Sequence, residues 1–166
     1  EALVQRRQEG EPIAYLAGAR EFHGHRFEVG PAVLIPRPET EQLVDLVIDQ
    51  ASPGACVLDL GTGSGAIAVS VARADLHMTA TDRSPESLAV ARRNARALLG
   101  EAQASRIAWH EGDWWSALPA GAAFDVIVSN PPYIAQADPH LAQGDLRFEP
   151  RGALAAGADG DRKSVV

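Results

Sequence analysis

Hydrophobic residues in this chain fall into short runs separated by helix-period segments. Cys56-Val57-Leu58-Asp59-Leu60, His77-Met78-Thr79-Ala80-Thr81, Ile107-Ala108-Trp109-His110 and Asp125-Val126-Ile127-Val128-Ser129 have the length and bounded apolar character of strands. Ala66 to Ala72 reads as a helix of small residues. A longer helix follows Ser84, a good N-cap, with Pro85 at its first position and Gly100 as its stop. Leu88, Ala91, Ala95 and Leu98 mark its buried stripe. The order β-α-β-α-β-loop-β predicts an α/β fold with a parallel sheet and right-handed crossovers.

The pattern is less regular at both ends. Residues 1–19 are helix-compatible but interrupted by Gly10 and Pro12. Phe22, Phe27 and Val29 predict a strand, Gly30-Pro31 a turn, and Ala32 to Ile35 a returning strand, making a β-hairpin. His23 and His25 would face one way in that strand, but no third ligand at a suitable spacing follows, so no metal site is read there. Pro36-Arg37-Pro38-Glu39-Thr40-Glu41 forms a stiff corner before a helix whose apolar face is Leu43, Val44, Val47 and Ile48. Ser52-Pro53-Gly54 ends that helix. Past Tyr133 the chain turns polar and loop-like, with no further strand or helix of useful length.

Composition narrows the classes. The 166 residues suffice for one domain with a core. A formal charge of -7 argues against a duplex-binding groove or an anionic membrane surface. Cys56, the single cysteine, allows no internal disulfide and fits a reducing, cytoplasmic setting. No apolar stretch approaches the ~20 residues of a membrane span.

The chemistry gathers at strand ends. Gly61-Thr62-Gly63-Ser64-Gly65 links the first sheet strand to a helix, the arrangement of a nucleotide-binding loop. Asp82 ends the second strand, about twenty residues on, where an acid takes ribose hydroxyls. Both features serve NAD and S-adenosylmethionine alike. Ala66 stands where a dinucleotide fingerprint has its third glycine, a mild lean away from NAD. Asp113-Trp114 follows the third strand, suited to the edge and face of an adenine. Asn130-Pro131-Pro132-Tyr133 follows the fourth. Proline fixes φ and removes backbone donors, so the Asn130 and Pro131 carbonyls are free to accept hydrogen bonds. With the Asn130 carboxamide and the Tyr133 ring, they suit a planar NH2 group, an amide or a base amine. If the first strand is central and the fourth lies beside it, the strand order reverses between them, and both motifs face one crevice.

Together Gly61–Gly65, Asp82, Gly112-Asp113-Trp114 and Asn130-Pro131-Pro132-Tyr133 resemble class I S-adenosylmethionine-dependent methyltransferases acting on planar amino groups. The proline corner, Asp138-Pro139-His140-Leu141 and Arg147-Phe148-Glu149-Pro150 narrow the resemblance to the HemK/PrmC family. Its members are protein-glutamine N5-methyltransferases of peptide chain release factors. The resemblance runs over about residues 12 to 160. It implies a Rossmann-like sheet preceded by a β-hairpin, with S-adenosylmethionine as cofactor and a release factor as partner. It implies Asn130, Pro131, Pro132 and Tyr133 at the acceptor, and Gly61, Thr62, Gly63, Ser64, Gly65, Asp82 and Trp114 at the cofactor, with Asp113 and Thr40 beside them.

The expected division is a remnant of an N-terminal helical domain over 1–20, a hairpin linker over 21–37 and a partial methyltransferase domain over 38–160. The last strands of the family's sheet are expected to be missing, which would leave the fourth strand as an apolar edge. Residues 161–166, Asp-Arg-Lys-Ser-Val-Val, depart from the family pattern and read as a foreign tail. The alternatives are a methyltransferase for a ribosomal-protein glutamine, one for adenine N6 of nucleic acid, and an inactive cofactor-binding fragment.

Overall fold

The computed structural model describes residues 1–74 and 76–158. The tail expected over 161–166 lies outside the described residues. Two short helices, α1 (Ala2–Gln8) and α2 (Ile13–Ala17), open the chain on either side of the predicted interruption. An antiparallel hairpin follows, β1 (Ala19–Phe22) with β2 (His25–Glu28), and Phe22 pairs with His25.

This hairpin corrects the expected one. The turn is at His23-Gly24, not Gly30-Pro31, and 32–35 is not a strand. His23 and Gly24 have φ of 48° and 71°, the left-handed pair that a two-residue turn requires to match strand twist. His23 therefore sits in the turn, and the two histidines do not share a strand face. Its ring pairs with Asp45 at 3.0 Å. Among the described residues no group of His, Cys, Asp and Glu is arranged to hold a metal.

After the proline corner and a turn of 3-10 helix at Pro38–Thr40 come α3 (Glu41–Gln50), β3 (Cys56–Leu60), α4 (Ala66–Val71) and β4 (His77–Asp82). Next are α5 (Pro85–Leu99), α6 (Glu101–Ala104), β5 (Ala108–Glu111), β6 (Val126–Ser129) and α7 (Arg151–Leu154). Ser84 caps α5 by accepting a hydrogen bond from the Ser87 N–H, as predicted, and Gly100 ends it. On α3, Val44 and Val47 are buried, but Ile48 is exposed, a correction to the expected four-residue face. The core meets a narrower stripe than a full apolar face.

The strands run parallel in the order β5-β4-β3-β6. β3 thus lies between β4 and β6, both later in the chain, and the strand order reverses between them. Val57 and Leu58 on β3 are fully buried. Hairpin residues Phe22 and Phe27 join the same core as Val44, Val57 and Val128. β6 and β5 are the outer strands among the described residues, and Ile127 on β6 is 50% exposed. Among the described residues no helix is long and apolar enough to cross a membrane.

Candidate functional site

Leu60, the last residue of β3, sits opposite Ser129, the last of β6. Ser129 Oγ donates to the Leu60 carbonyl at 2.8 Å and locks the two ends together. The next residue on one side is Gly61, and on the other Asn130. Both line one cleft, with Asp82, Asp113, Trp114 and Pro132.

The glycine loop is stapled to β4. The N–H groups of Gly61 and Thr62 donate to the Thr81 carbonyl at 3.0 and 2.9 Å, and that of Gly63 to Asp82 Oδ2 at 2.8 Å. Asp82 Oδ1 accepts from the Ser84 N–H at 2.9 Å. Each oxygen of Asp82 retains acceptor capacity toward the cleft it lines. Not every loop residue faces the cleft. Thr62 and Ser64 are buried behind it, and the Thr62 hydroxyl donates to Asp59 Oδ2 at 2.7 Å. Gly65 has φ of 79°, and a Cβ there would lie 3.0 Å from Ala91 Cβ, so α5 packs where a side chain would stand.

The front of the loop has room for a ligand. A Cβ added to Gly61 or Gly63 meets no atom within 4 Å, so both glycines face open space. Trp114 has φ of 51°, uncommon for a bulky side chain, and it too lines the cleft. Gly112 before it cannot carry a side chain, because a Cβ would lie 2.9 Å from the Ala117 backbone.

Asn130 also borders a second pocket, with Pro131, Tyr133, Arg37, Thr40 and Leu43. Its Nδ2 donates to Thr40 Oγ1 at 3.2 Å. Among the described residues its Oδ1 makes no hydrogen bond. Tyr133 is 72% exposed at the rim. The structure therefore brings Thr40 to Asn130 and the second pocket, while Gly61, Gly63, Asp82, Asp113 and Trp114 gather in the first.

Sequence reasoning missed several groups. Asp59 is fully buried under the loop, and its Oδ1 makes no close hydrogen bond among the described residues. Burial raises its pKa to about 7, against the Thr62 hydrogen bond and a weaker one from the Ala68 N–H, and the Asp82 charge adds to the rise. Asn94 is 1% exposed on α5 and bonds the Ser64 carbonyl and both backbone groups of Glu28. Its signal was an amide on the helix's apolar face, three positions after Ala91. Glu149 is 4% exposed and accepts from the Ile35 N–H at 2.9 Å and from Arg37 at 2.5 Å. The segment after it supplies a wall to both pockets, Pro150 and Gly152 to the first and Leu154 to the second. Ile134 pairs with this segment through backbone bonds to Leu154 and Ala156.

A central strand ending in a glycine loop, an acid at the tip of its neighbour and a crevice at the order reversal are shared by dinucleotide-binding and class I methyltransferase folds. A family model described as Methyltransferase small domain matches residues 38–147, and the chain belongs to that family. It is 60% identical over 166 residues to a protein of Burkholderia pseudomallei named Release factor glutamine methyltransferase, covering 96% of this chain and 58% of that one. Identity is 50% over 169 residues to the protein of the same name from Escherichia coli, covering 100% of this chain and 59% of that one. The chain thus spans under two thirds of the length of these relatives. A solved structure titled SAM Dependent Methyltransferase from Agrobacterium tumefaciens superposes with a TM-score of 0.54 at 22% identity, covering 69% of this chain and 39% of that one. At that identity the likeness is one of fold.

Proposed function

We propose that the chain binds S-adenosylmethionine in the first cleft and methylates the side-chain amide nitrogen of a glutamine in a peptide chain release factor. The observation that carries this reading is the meeting of Asn130 and the glycine loop on one cleft. The names of relatives at 50–60% identity support the acceptor. In this reading residues 38–160 form the methyltransferase unit. Gly61, Gly63, Asp82, Asp113 and Trp114 hold the cofactor directly, with Thr62, Ser64 and Gly65 shaping the loop behind them. The protein works in the cytoplasm, where release factors act.

S-adenosylmethionine, when bound, supplies an electrophilic methyl group. An amide nitrogen is a poor nucleophile, because its lone pair is delocalised into the carbonyl. Asn130 Oδ1 and the Pro131 carbonyl accept the two N–H bonds of the glutamine amide. They fix its plane and aim its lone pair into the cleft. The nitrogen becomes more positive as it commits that lone pair, so both acceptors bind the transition state more tightly than the ground state. Positioning supplies much of the remainder. The surplus proton leaves to solvent, and no side chain is assigned as base. Tyr133 closes the outer side of the acceptor as an apolar wall.

The test incubates the chain with methyl-labelled S-adenosylmethionine and, separately, a release factor, a glutamine-to-alanine release factor and duplex DNA. Label in the first alone is the expected result. Label in DNA would favour the adenine-N6 reading, and label in none with tight cofactor binding would leave a cofactor-binding unit.

A further inference from the structure

Thr40 ends the 3-10 turn that leads into α3, with helical φ and ψ of -72° and -18°, and its side chain makes no capping hydrogen bond. The hydroxyl instead accepts from Asn130 Nδ2 at 3.2 Å, across 90 residues of sequence.

The corner that carries Thr40 is itself held. Pro36 and Pro38 stiffen it, and the buried Glu149 carboxylate accepts from the Ile35 N–H and from Arg37 on either side of Pro36. Thr40 is thus a fixed point rather than a mobile surface hydroxyl. A carboxamide has a donor end and an acceptor end. Anchoring one end at Thr40 fixes the plane and reach of the other.

We propose that Thr40 is a positioning residue: its hydroxyl tethers the Asn130 carboxamide and holds its free end toward the acceptor amide. This rests on the function proposed above. A flipped carboxamide would present N–H groups to the N–H groups of the incoming glutamine, and the acceptor would be lost. The Thr40 hydroxyl, which can bond either end of a carboxamide, holds the side chain in the cleft, and the incoming N–H groups favour the oxygen-forward state.

The experiment compares wild type, Thr40→Val and Thr40→Ser. Valine keeps the shape and removes the hydroxyl, and serine restores it. Thermal melting of all three proteins checks that position 40 still packs, and where Val does not fold Thr40→Ala carries the same expectations. Turnover at saturating cofactor should fall roughly tenfold in Val, the worth of about one hydrogen bond or slightly more, and recover in Ser. Cofactor Kd should stay within a factor of two of wild type. The side-chain amide protons of Asn130, followed by nitrogen-15 NMR, should exchange faster in Val and be protected in wild type and Ser. Equal losses in Val and Ser, a loss expressed as weaker cofactor binding, or an unchanged Asn130 amide in Val would overturn the proposal. If wild type methylates no glutamine, the proposed reaction fails instead, and the amide exchange still decides the tie between Thr40 and Asn130.

Discussion

Asp82 carries two hydrogen bonds from the protein itself, one from the glycine loop and one from the start of the next helix. It holds the loop in shape and still offers lone pairs to the cleft. Asp82→Ala should therefore raise the cofactor Kd by about tenfold or more, the scale of a hydrogen bond to a charged group, with a smaller effect on turnover at saturation. Isothermal titration and steady-state kinetics on one preparation would separate the two, and an unchanged Kd would remove Asp82 from the cofactor site. Asn130→Ala should do the reverse if its oxygen meets the acceptor amide as proposed: turnover collapses and cofactor affinity holds. Asp59 behaves differently again. Its folded pKa, about 7, lies above the ordinary carboxyl value because burial disfavours the charged form. Folding then favours the protonated acid. The stability it contributes is full below about pH 4 and is lost as pH rises through about 7. Asp59→Asn should flatten that fall, so wild type loses more melting temperature between pH 5 and pH 8 than the variant does. Each kcal/mol corresponds to roughly 2–4 °C in a chain of this size. Asp82 was legible because strand ends and spacing are sequence properties. The pKa of Asp59 was not, because it depends on what covers the residue.

The elements divide the same way. Runs such as Cys56–Leu60 and Val126–Ser129 were readable because a strand buried in a parallel sheet is apolar along its length. The hairpin was misread because Gly30-Pro31 is louder punctuation than His23-Gly24. The turn goes where two residues adopt positive φ, and a histidine does not announce that. What the hairpin does for the site was also hidden. Asn94 on α5 accepts from the Glu28 N–H at 2.7 Å and donates to the Glu28 and Ser64 carbonyls at 3.0 and 2.9 Å. The adjacent Arg93 pairs with the Glu28 carboxylate at 2.7 Å and holds its pKa below the ordinary value. One amide thereby ties the hairpin, the helix and the back of the glycine loop. Asn94→Ala should strand three polar groups at roughly 1–3 kcal/mol for each that stays dry. The midpoint of urea denaturation should drop clearly, and cofactor affinity should weaken with it because Ser64 loses its anchor. A variant that loses stability but binds cofactor as wild type would show that the loop does not depend on this tie.

At the scale of the whole molecule, the pairing of Glu149 with Arg37 joins positions 112 residues apart. The Glu149 side chain is fully buried, while that of Arg37 is 34% exposed at the second pocket. The pair fastens the proline corner, and through it Thr40, to the segment that walls both pockets. No local pattern could have revealed it, since each residue alone reads as a surface charge beside a proline. The consequences of breaking it are unequal. Arg37→Ala leaves a buried carboxylate with the Ile35 N–H as its one remaining partner among the described residues. Removing one member of a buried pair typically costs about 3–5 kcal/mol, and solvent at the exposed Arg37 side lowers that toward the bottom of the range. Glu149→Gln removes the charge and keeps an oxygen for the Ile35 N–H, so its loss should be the smaller one. Arg37→Ala combined with Glu149→Gln should be more stable than Arg37→Ala alone, because the stranded charge is gone. Urea denaturation of the four proteins measures this directly. If the double variant is instead the least stable, by the sum of the two single losses, the residues act independently and the corner is held by its prolines alone.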